Sequence, residues 1–264
     1  MSDFNNKIVW ITGASSGIGE ALAYAFAKRG AKLVLSARRV EELERVKANC
    51  NQPELVNILP MDLCKVEEMD AKVEWVISKN GKIDILVNNG GISQRSEAKD
   101  TELQVYRDIM EVNFFGTIHL SNLVMKHFLE RNEGQFVVVS SITGIVGLPL
   151  RTAYTASKHA IEGFYKSLRT EIWKTNLRVL MVRPASIKTS IAKNALTGDG
   201  GKFNKADGVI DNGISPESLA ESIISAIEKN KNVLLAGPKD QQFIIRLQRF
   251  FPGLVFNILK KIRP

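Results

Sequence analysis

Tyr154-Thr155-Ala156-Ser157-Lys158 places a phenol and an ammonium four residues apart. On a helix that spacing brings both side chains to one face. A free tyrosine, with a pKa of about 10, is a poor base at neutral pH. A neighbouring cation favours its phenolate, which suits a group that gives a proton in one direction and takes it in the other. Upstream, the apolar run Phe136–Val139 ends in Ser140 and Ser141. A hydroxyl there can donate to a reacting carbonyl oxygen and stabilise its developing charge. Asn113, in Val112-Asn113-Phe114-Phe115-Gly116, sits within a long helical pattern where an asparagine caps or kinks the helix.

A second constellation lies near the start. Thr12-Gly13-Ala14-Ser15-Ser16-Gly17-Ile18-Gly19 joins an apolar run to a helical pattern. Gly13 allows a tight turn, Gly17 lets the backbone approach a pyrophosphate, and Gly19 lets helix and strand pack closely. The helix N-terminus offers N–H groups and a positive dipole end to phosphates.

Both constellations need a frame. Short, predominantly apolar runs recur at Ile8–Ile11, Leu33–Leu35, Val56–Leu59, Ile83–Val87, Phe136–Val139, Val179–Val182 and Val233–Leu235. Strands of that kind are buried on both faces. Helical patterns separate them: Gly19–Arg29, Val40–Lys47, Val66–Lys79, Leu103–Arg131, Thr152–Trp173 and one opened by Ser215-Pro216-Glu217. The alternation predicts an α/β fold of the Rossmann type, a doubly wound parallel seven-stranded sheet with helices on both faces. Ligands bind outside the carboxyl ends of such strands, where every motif above falls. Two stretches break the rhythm. Residues 190–212 are glycine-containing and aperiodic, and are read as a substrate lid. Residues 238–264 form a basic, apolar tail.

The spacing G-x-x-x-G-x-G, with Tyr154 and Lys158, resembles the short-chain dehydrogenase/reductase family over residues 7 to about 237. The resemblance selects Ser141 over Ser140 and implies a catalytic set of Asn113, Ser141, Tyr154 and Lys158. Lys158 holds the nicotinamide ribose, and Asn113 holds a water beside it. The family's cofactor contacts map onto Gly13, Ser15, Ser16, Gly17, Ile18 and Gly19. Asp62, beside Leu63, takes the adenine amino group, and Asn89-Gly90-Gly91 lies along the adenosine. In the family an acid ending the second strand selects NAD. Here Ala37 is followed by Arg38 and Arg39. No carboxylate repels a 2′-phosphate, and a guanidinium can bind one, so NADP(H) is expected. Pro184, Ala185, Ile187 and Thr189 match the segment that closes on the nicotinamide, with Ala185 in place of a glycine and Gly90 in place of an alanine. Gly90-Gly91-Ile92-Ser93-Gln94-Arg95-Ser96 and Ser157-Lys158-His159-Ala160 look like the dehydrogenase/reductase member 7 group, relatives of the 11β-hydroxysteroid dehydrogenases. That implies a lipophilic ketone or aldehyde as substrate and a homodimer or homotetramer as assembly.

Composition narrows the alternatives. The chain has 264 residues, 44% hydrophobic and 24% charged, enough for one α/β domain. Cys50 and Cys64 make no disulfide framework and have no metal-ligand neighbours, so reduced thiols, no metal and a cytoplasmic protein are expected. Residues 1–6 are polar and carry no leader pattern. The net charge is +8, and residues 241–264 hold five basic residues and no acid. Basic stripes and exposed aromatics do not combine into a nucleic-acid module, so no nucleic-acid partner is expected. The tail, from Phe243 to Lys261, suits peripheral contact with a membrane surface or, as a C-terminal helix, packing on the substrate pocket or across a subunit interface. An NADP(H)-occupancy regulator, or a membrane-peripheral protein without turnover, is the rival reading; a sensor has no need of the four-residue catalytic set.

Overall fold

The computed structural model describes residues 4–205, 208 and 212–261. Seven strands form one sheet: β1 (Ile8–Thr12), β2 (Lys32–Ser36), β3 (Val56–Ile58), β4 (Ile85–Asn88), β5 (Gly134–Val139), β6 (Leu177–Pro184) and β7 (Val233–Ala236). Their order is β3-β2-β1-β4-β5-β6-β7, and every neighbouring pair is parallel. The chain moves outward from β1 in one direction and returns to start again at β4. The carboxyl ends of β1 and β4 therefore flank the switch point, where such sheets bind ligands.

Alternate residues of each central strand feed two apolar layers. Val9 and Ile11 of β1 pack with α1 (Gly17–Ala27), α2 (Val40–Ala48) and the helix Pro216–Glu228. Trp10 between them joins Val73 of α3 (Met69–Asn80), Val124 of α5 (Gly116–Arg131) and Tyr165 of α6 (Thr152–Glu171) on the other face. Each such side chain contributes about 1.5–3 kcal/mol when fully buried, and the two layers fix the sheet between them. Trp10 satisfies its own buried indole N–H with Ser36 Oγ at 2.9 Å. The short helix α4 (Leu103–Met110) packs Val105 and Ile109 against Ala153 at the start of α6. The helix Pro216–Glu228 is α7. It opens as expected, with Ser215 accepting from Ser218 N–H and Pro216 in the first turn.

Two expectations are corrected. The single helical pattern Leu103–Arg131 is two helices joined by a π turn, Glu111–Phe115, that contains Asn113. An asparagine amide reaching sideways to another loop is one of the causes that widen a helix locally. Burial on both faces holds for β1, β2, β4 and β5, whereas the edge strand β7 exposes Val233 and half-buries Leu234 and Leu235. The tail folds into two helices, α8 (Lys239–Leu247) and α9 (Pro252–Leu259). Ile245, Val255 and Leu259 pack with Val146 against the rim beyond β5. Of the proposed lid, residues 206, 207 and 209–211 lie outside the described residues. Its first part is tied down: Leu196 N–H donates to Ser93 O and Leu196 O accepts from Arg95 N–H, both at 2.8 Å.

Candidate active site

A cavity of about 760 Å³ runs along the carboxyl ends of the strands. One end is built by the glycine turn after β1. Gly13 and Gly17 have φ of +64° and +59°, values that strain any residue with a side chain. Ser16 caps α1 without a side-chain bond, so its hydroxyl does not take up the first-turn N–H groups. Asn89 fastens the turn from the end of β4: its Nδ2 donates to Thr12 O at 3.0 Å and Gly13 O at 3.1 Å. Gly19 lies behind the turn, outside the cavity lining, where a methyl group would overlap the Gly13 carbonyl. Its part is packing, as the motif predicts, and not contact.

Arg38 and Arg39 stand exposed at the cavity rim after β2. Arg39 Nη2 donates to Ser15 Oγ at 3.1 Å and Ser16 Oγ at 3.3 Å, so a guanidinium already spans the glycine turn. Asp62 and Leu63 line the same end. Leu63 Cδ1 lies 2.8 Å from where an alanine methyl at 90 would sit, so an alanine there would need that side chain to shift. Across the cavity, Pro184, Ala185, Ile187 and Thr189 follow β6. The Ala185 methyl is accommodated by Gly237, which has φ of +139° and no side chain to meet it. A cavity with a glycine cradle, a helix N-terminus and two guanidinium groups at one end fits an extended dinucleotide bearing several phosphates.

Ser141, Tyr154 and Lys158 meet at the middle of the cavity. Helix α6 carries two of them, and its start is held by Gln94, fully buried in the loop after β4, whose Oε1 accepts from Ala153 N–H at 2.8 Å. Ser141 accepts from Thr143 N–H at 3.1 Å, which leaves its own O–H to donate. It stands near enough to the Tyr154 phenol to favour the phenolate. Burial pushes the Tyr154 pKa up; Arg151, Ser141 and Arg95 oppose that shift. Arg151 and Arg95 are two cations near the phenol that the spacing does not single out. Lys158 Nζ lies 5.6 Å from the centroid of the Tyr154 ring and donates to Val139 O at 2.9 Å. Burial lowers its pKa to about 8, opposed by Glu162 one turn along.

Asn113 is buried behind Gly91 and does not line the cavity. Its Oδ1 accepts from Ile92 N–H at 2.8 Å, and its Nδ2 donates to Ile92 O and Ser157 Oγ, both at 2.9 Å. The side chain is fully engaged in holding the loop after β4 to α6. Residues missed from the sequence are Arg95, Arg151, Glu162 and Arg183. Arg95 and Arg151 carry no periodic signal. Glu162 had one, since it lies four residues after Lys158 on the same helix. It is buried and takes two bonds from Arg183, at 2.9 Å from Nε and 2.7 Å from Nη2.

A parallel sheet with its switch point beside a dinucleotide-shaped cavity, and a serine, tyrosine and lysine meeting in it, defines a nicotinamide-dependent oxidoreductase of the α/β class. The short chain dehydrogenase family matches residues 7–199, and the chain belongs to the short-chain dehydrogenase/reductase family. A mosquito protein from Anopheles gambiae, "Dehydrogenase/reductase SDR family protein 7-like", is 42% identical over 97% of this chain and 83% of its own. The human "Dehydrogenase/reductase SDR family member 7" is 47% identical over 75% of this chain and 60% of its own. Both place the chain in the member 7 branch. Among solved structures, a short-chain dehydrogenase from Streptomyces avermitilis superposes with a TM-score of 0.84 at 27% identity, covering 97% of each chain. A Burkholderia phymatum enzyme in complex with NAD has the same score at 22% identity, over 96% of each chain. A serine dehydrogenase complexed with NADP+ scores 0.78 at 24% identity, over 88% of this chain and 94% of its own. The fold therefore accommodates either nicotinamide cofactor.

Proposed function

We propose that this enzyme is an NADP(H)-dependent reductase of lipophilic ketones or aldehydes, with Tyr154 as the acid/base. The observation that carries the reading is the pairing of Arg38 and Arg39 at one end of the cavity with Ser141, Tyr154 and Lys158 at its middle. Gly13, Ser15, Ser16, Gly17 and Ile18 hold the diphosphate, Arg38 and Arg39 the 2′-phosphate, and Asp62 the adenine. When bound, NADPH supplies the hydride. A carbonyl substrate places its oxygen between the Ser141 hydroxyl and the Tyr154 phenol. Ser141 stabilises the charge that develops there, and Tyr154 donates the proton. Lys158 then passes a proton inward to Tyr154. Asn113 holds the relay through its main chain in the π turn, since its side-chain atoms are bonded to Ile92 and Ser157.

Apolar walls from Leu148, Leu196, Ile244 and Leu259 favour a lipophilic substrate, and the described part of the 190–212 segment lines one side of its pocket through Ser190, Ile191, Asn194 and Leu196. Assembly of two or four copies is carried over from the family, whose members commonly oligomerise. Two thiols with no disulfide pairing among the described residues fit a cytoplasmic site. The test follows NADPH absorbance against carbonyls from small aldehydes to steroid ketones. Tyr154→Phe is expected to bind NADPH within about twofold of the parent and to lose about 10²–10⁴-fold in turnover. Retained turnover removes Tyr154 from the central role. Bound NADPH with no turnover on any carbonyl favours the regulator.

A further inference from the structure

The C-terminal helices present two unlike faces. Inward, Ile245, Val255 and Leu259 are buried, and Gln241, Ile244, Ile245 and Leu259 form part of the cavity wall. Outward, Phe243, Phe250 and Phe256 are 62%, 71% and 64% exposed, with Phe251 and Leu254 exposed between them. Four of the five exposed phenylalanines among the described residues fall in this short segment. A cluster of that kind on an otherwise ordinary surface marks a contact site. Phe243 and Arg246 lie three residues apart in α8 and are both exposed, so an aromatic ring and a guanidinium share its outer face.

Charge decides the occupant. Arg246, Arg249, Lys260 and Lys261 are all exposed, and no acid lies within 241–264. Lys260 Nζ stands 5.8 Å from the centroid of the Phe256 ring, a cation directly beside an exposed aromatic. A second copy of the same face would oppose cation to cation. An anionic lipid surface satisfies both halves, taking the rings among its acyl chains and the cations at its headgroups. No helix among the described residues is long and apolar enough to cross a membrane. The contact is therefore lateral.

We infer that the outer face of α8 and α9 docks on an anionic bilayer and that the carbonyl substrate reaches the cavity from that bilayer, between the same two helices. The first half stands on the surface alone. The second rests on the proposed reductase activity and deepens it, because one pair of helices forms both the docking face and the cavity wall. Docking is also coupled to the site. Gln241 at the start of α8 accepts from Ser186 N–H at 3.1 Å and Ser186 Oγ at 3.0 Å, in the segment that follows β6 at the cavity.

The test uses the full chain and vesicles of phosphatidylcholine with or without phosphatidylserine. Co-sedimentation is expected to be about tenfold or more stronger on the anionic vesicles and to weaken as salt rises. The triple variant Phe243→Ser, Phe250→Ser, Phe256→Ser is expected to lose it, while NADPH binding and turnover of a small water-soluble aldehyde stay unchanged. Equal binding to both vesicle types, or full binding by the triple variant, overturns the docking face. A fall in oligomeric mass in the triple variant also overturns it, since the face is then a subunit contact. The substrate route is read separately. Anionic vesicles are expected to raise the turnover of a bilayer-dissolved ketone in the parent and not in the triple variant. Vesicle binding without that stimulation, in an enzyme that turns over soluble aldehydes, overturns the route alone. Vesicle binding with no turnover of any carbonyl marks the failure of the reductase reading instead.

Discussion

Arg38 and Arg39 together carry the cofactor assignment, so the consequence of losing Arg38 is direct. A charge-assisted hydrogen bond is worth about 1.5–3 kcal/mol, which corresponds to roughly 10- to 150-fold in affinity. Arg38→Ala is expected to weaken NADPH by about that factor and to leave NADH within about twofold, as measured by fluorescence titration of both. Equal weakening of the two cofactors would place Arg38 elsewhere. Lys158 makes a second prediction, about pH. Burial has brought its pKa down to about 8, and the Glu162 carboxylate holds it from falling further. Glu162 faces Arg183 from β6 and Lys166 from its own helix, at 2.7 Å and 3.5 Å. A relay that needs the ammonium works below that pKa and fails as pH rises through it. Glu162→Gln is expected to move the alkaline limb of kcat/KM to lower pH. Stability without a moved limb would make Glu162 purely structural. Tyr154, Lys158, Ser141 and the glycine turn were legible because their chemistry needs fixed residue types at fixed spacings. Arg95 and Arg151 were not, because their approach to Tyr154 is set by the path of two loops.

At the level of elements, the strands were readable because each is built on a short, predominantly apolar run cut by a polar or glycine turn. The π turn at Glu111–Phe115 was not, since the apolar positions before and after it keep helical spacing and only the backbone bonds change. The tail left a C-terminal helix as one of two readings for another reason. Its phenylalanines lie on the outer face as well as the inner one, so the pattern lacks the one-sided stripe of a helix packed on a core. Gly19 sets two element-level rules against each other. In α1, alanine is intrinsically the better helix former by about 1 kcal/mol. The space it needs is taken by the Gly13 carbonyl, with Asn89 Nδ2 close behind. Gly19→Ala is therefore expected to destabilise the fold by about 1–3 kcal/mol and to weaken NADPH binding together with it, since α1 must withdraw from the turn. Thermal unfolding with and without NADPH checks both. A rise in the melting temperature would mean that helix propensity wins and that the packing argument is wrong.

Over the whole molecule, the two apolar layers account for the sheet, but the far end from the cavity is closed electrostatically. Asp84, just before β4, is buried. It accepts from Ile8 N–H at 2.8 Å and faces Lys82 at 3.0 Å, Arg131 at 3.3 Å and Lys7 at 3.7 Å. One carboxylate thereby joins the start of β1, the start of β4 and the end of α5. Burial works against its charge, but the Ile8 N–H, Lys82 and Lys7 outweigh it, and its pKa lies below the usual carboxylate value. The sign of the linkage follows: a depressed pKa contributes stability at every pH above the unfolded value of about 3.9 and loses it as pH falls through the folded one. The parent is therefore expected to lose stability steeply on acidification below about pH 4. Asp84→Asn keeps the shape and removes the charge from among three cations, at a cost of about 1–3 kcal/mol at neutral pH. Urea midpoints from pH 7 to pH 3 should converge for the two proteins, because protonation does to the parent what the substitution has already done to the variant. Parallel curves over that range would show that Asp84 acts by hydrogen bonding alone. NADPH binding, at the opposite ends of the strands, is expected to be unchanged in the folded variant, which separates the stability of the frame from the chemistry it positions.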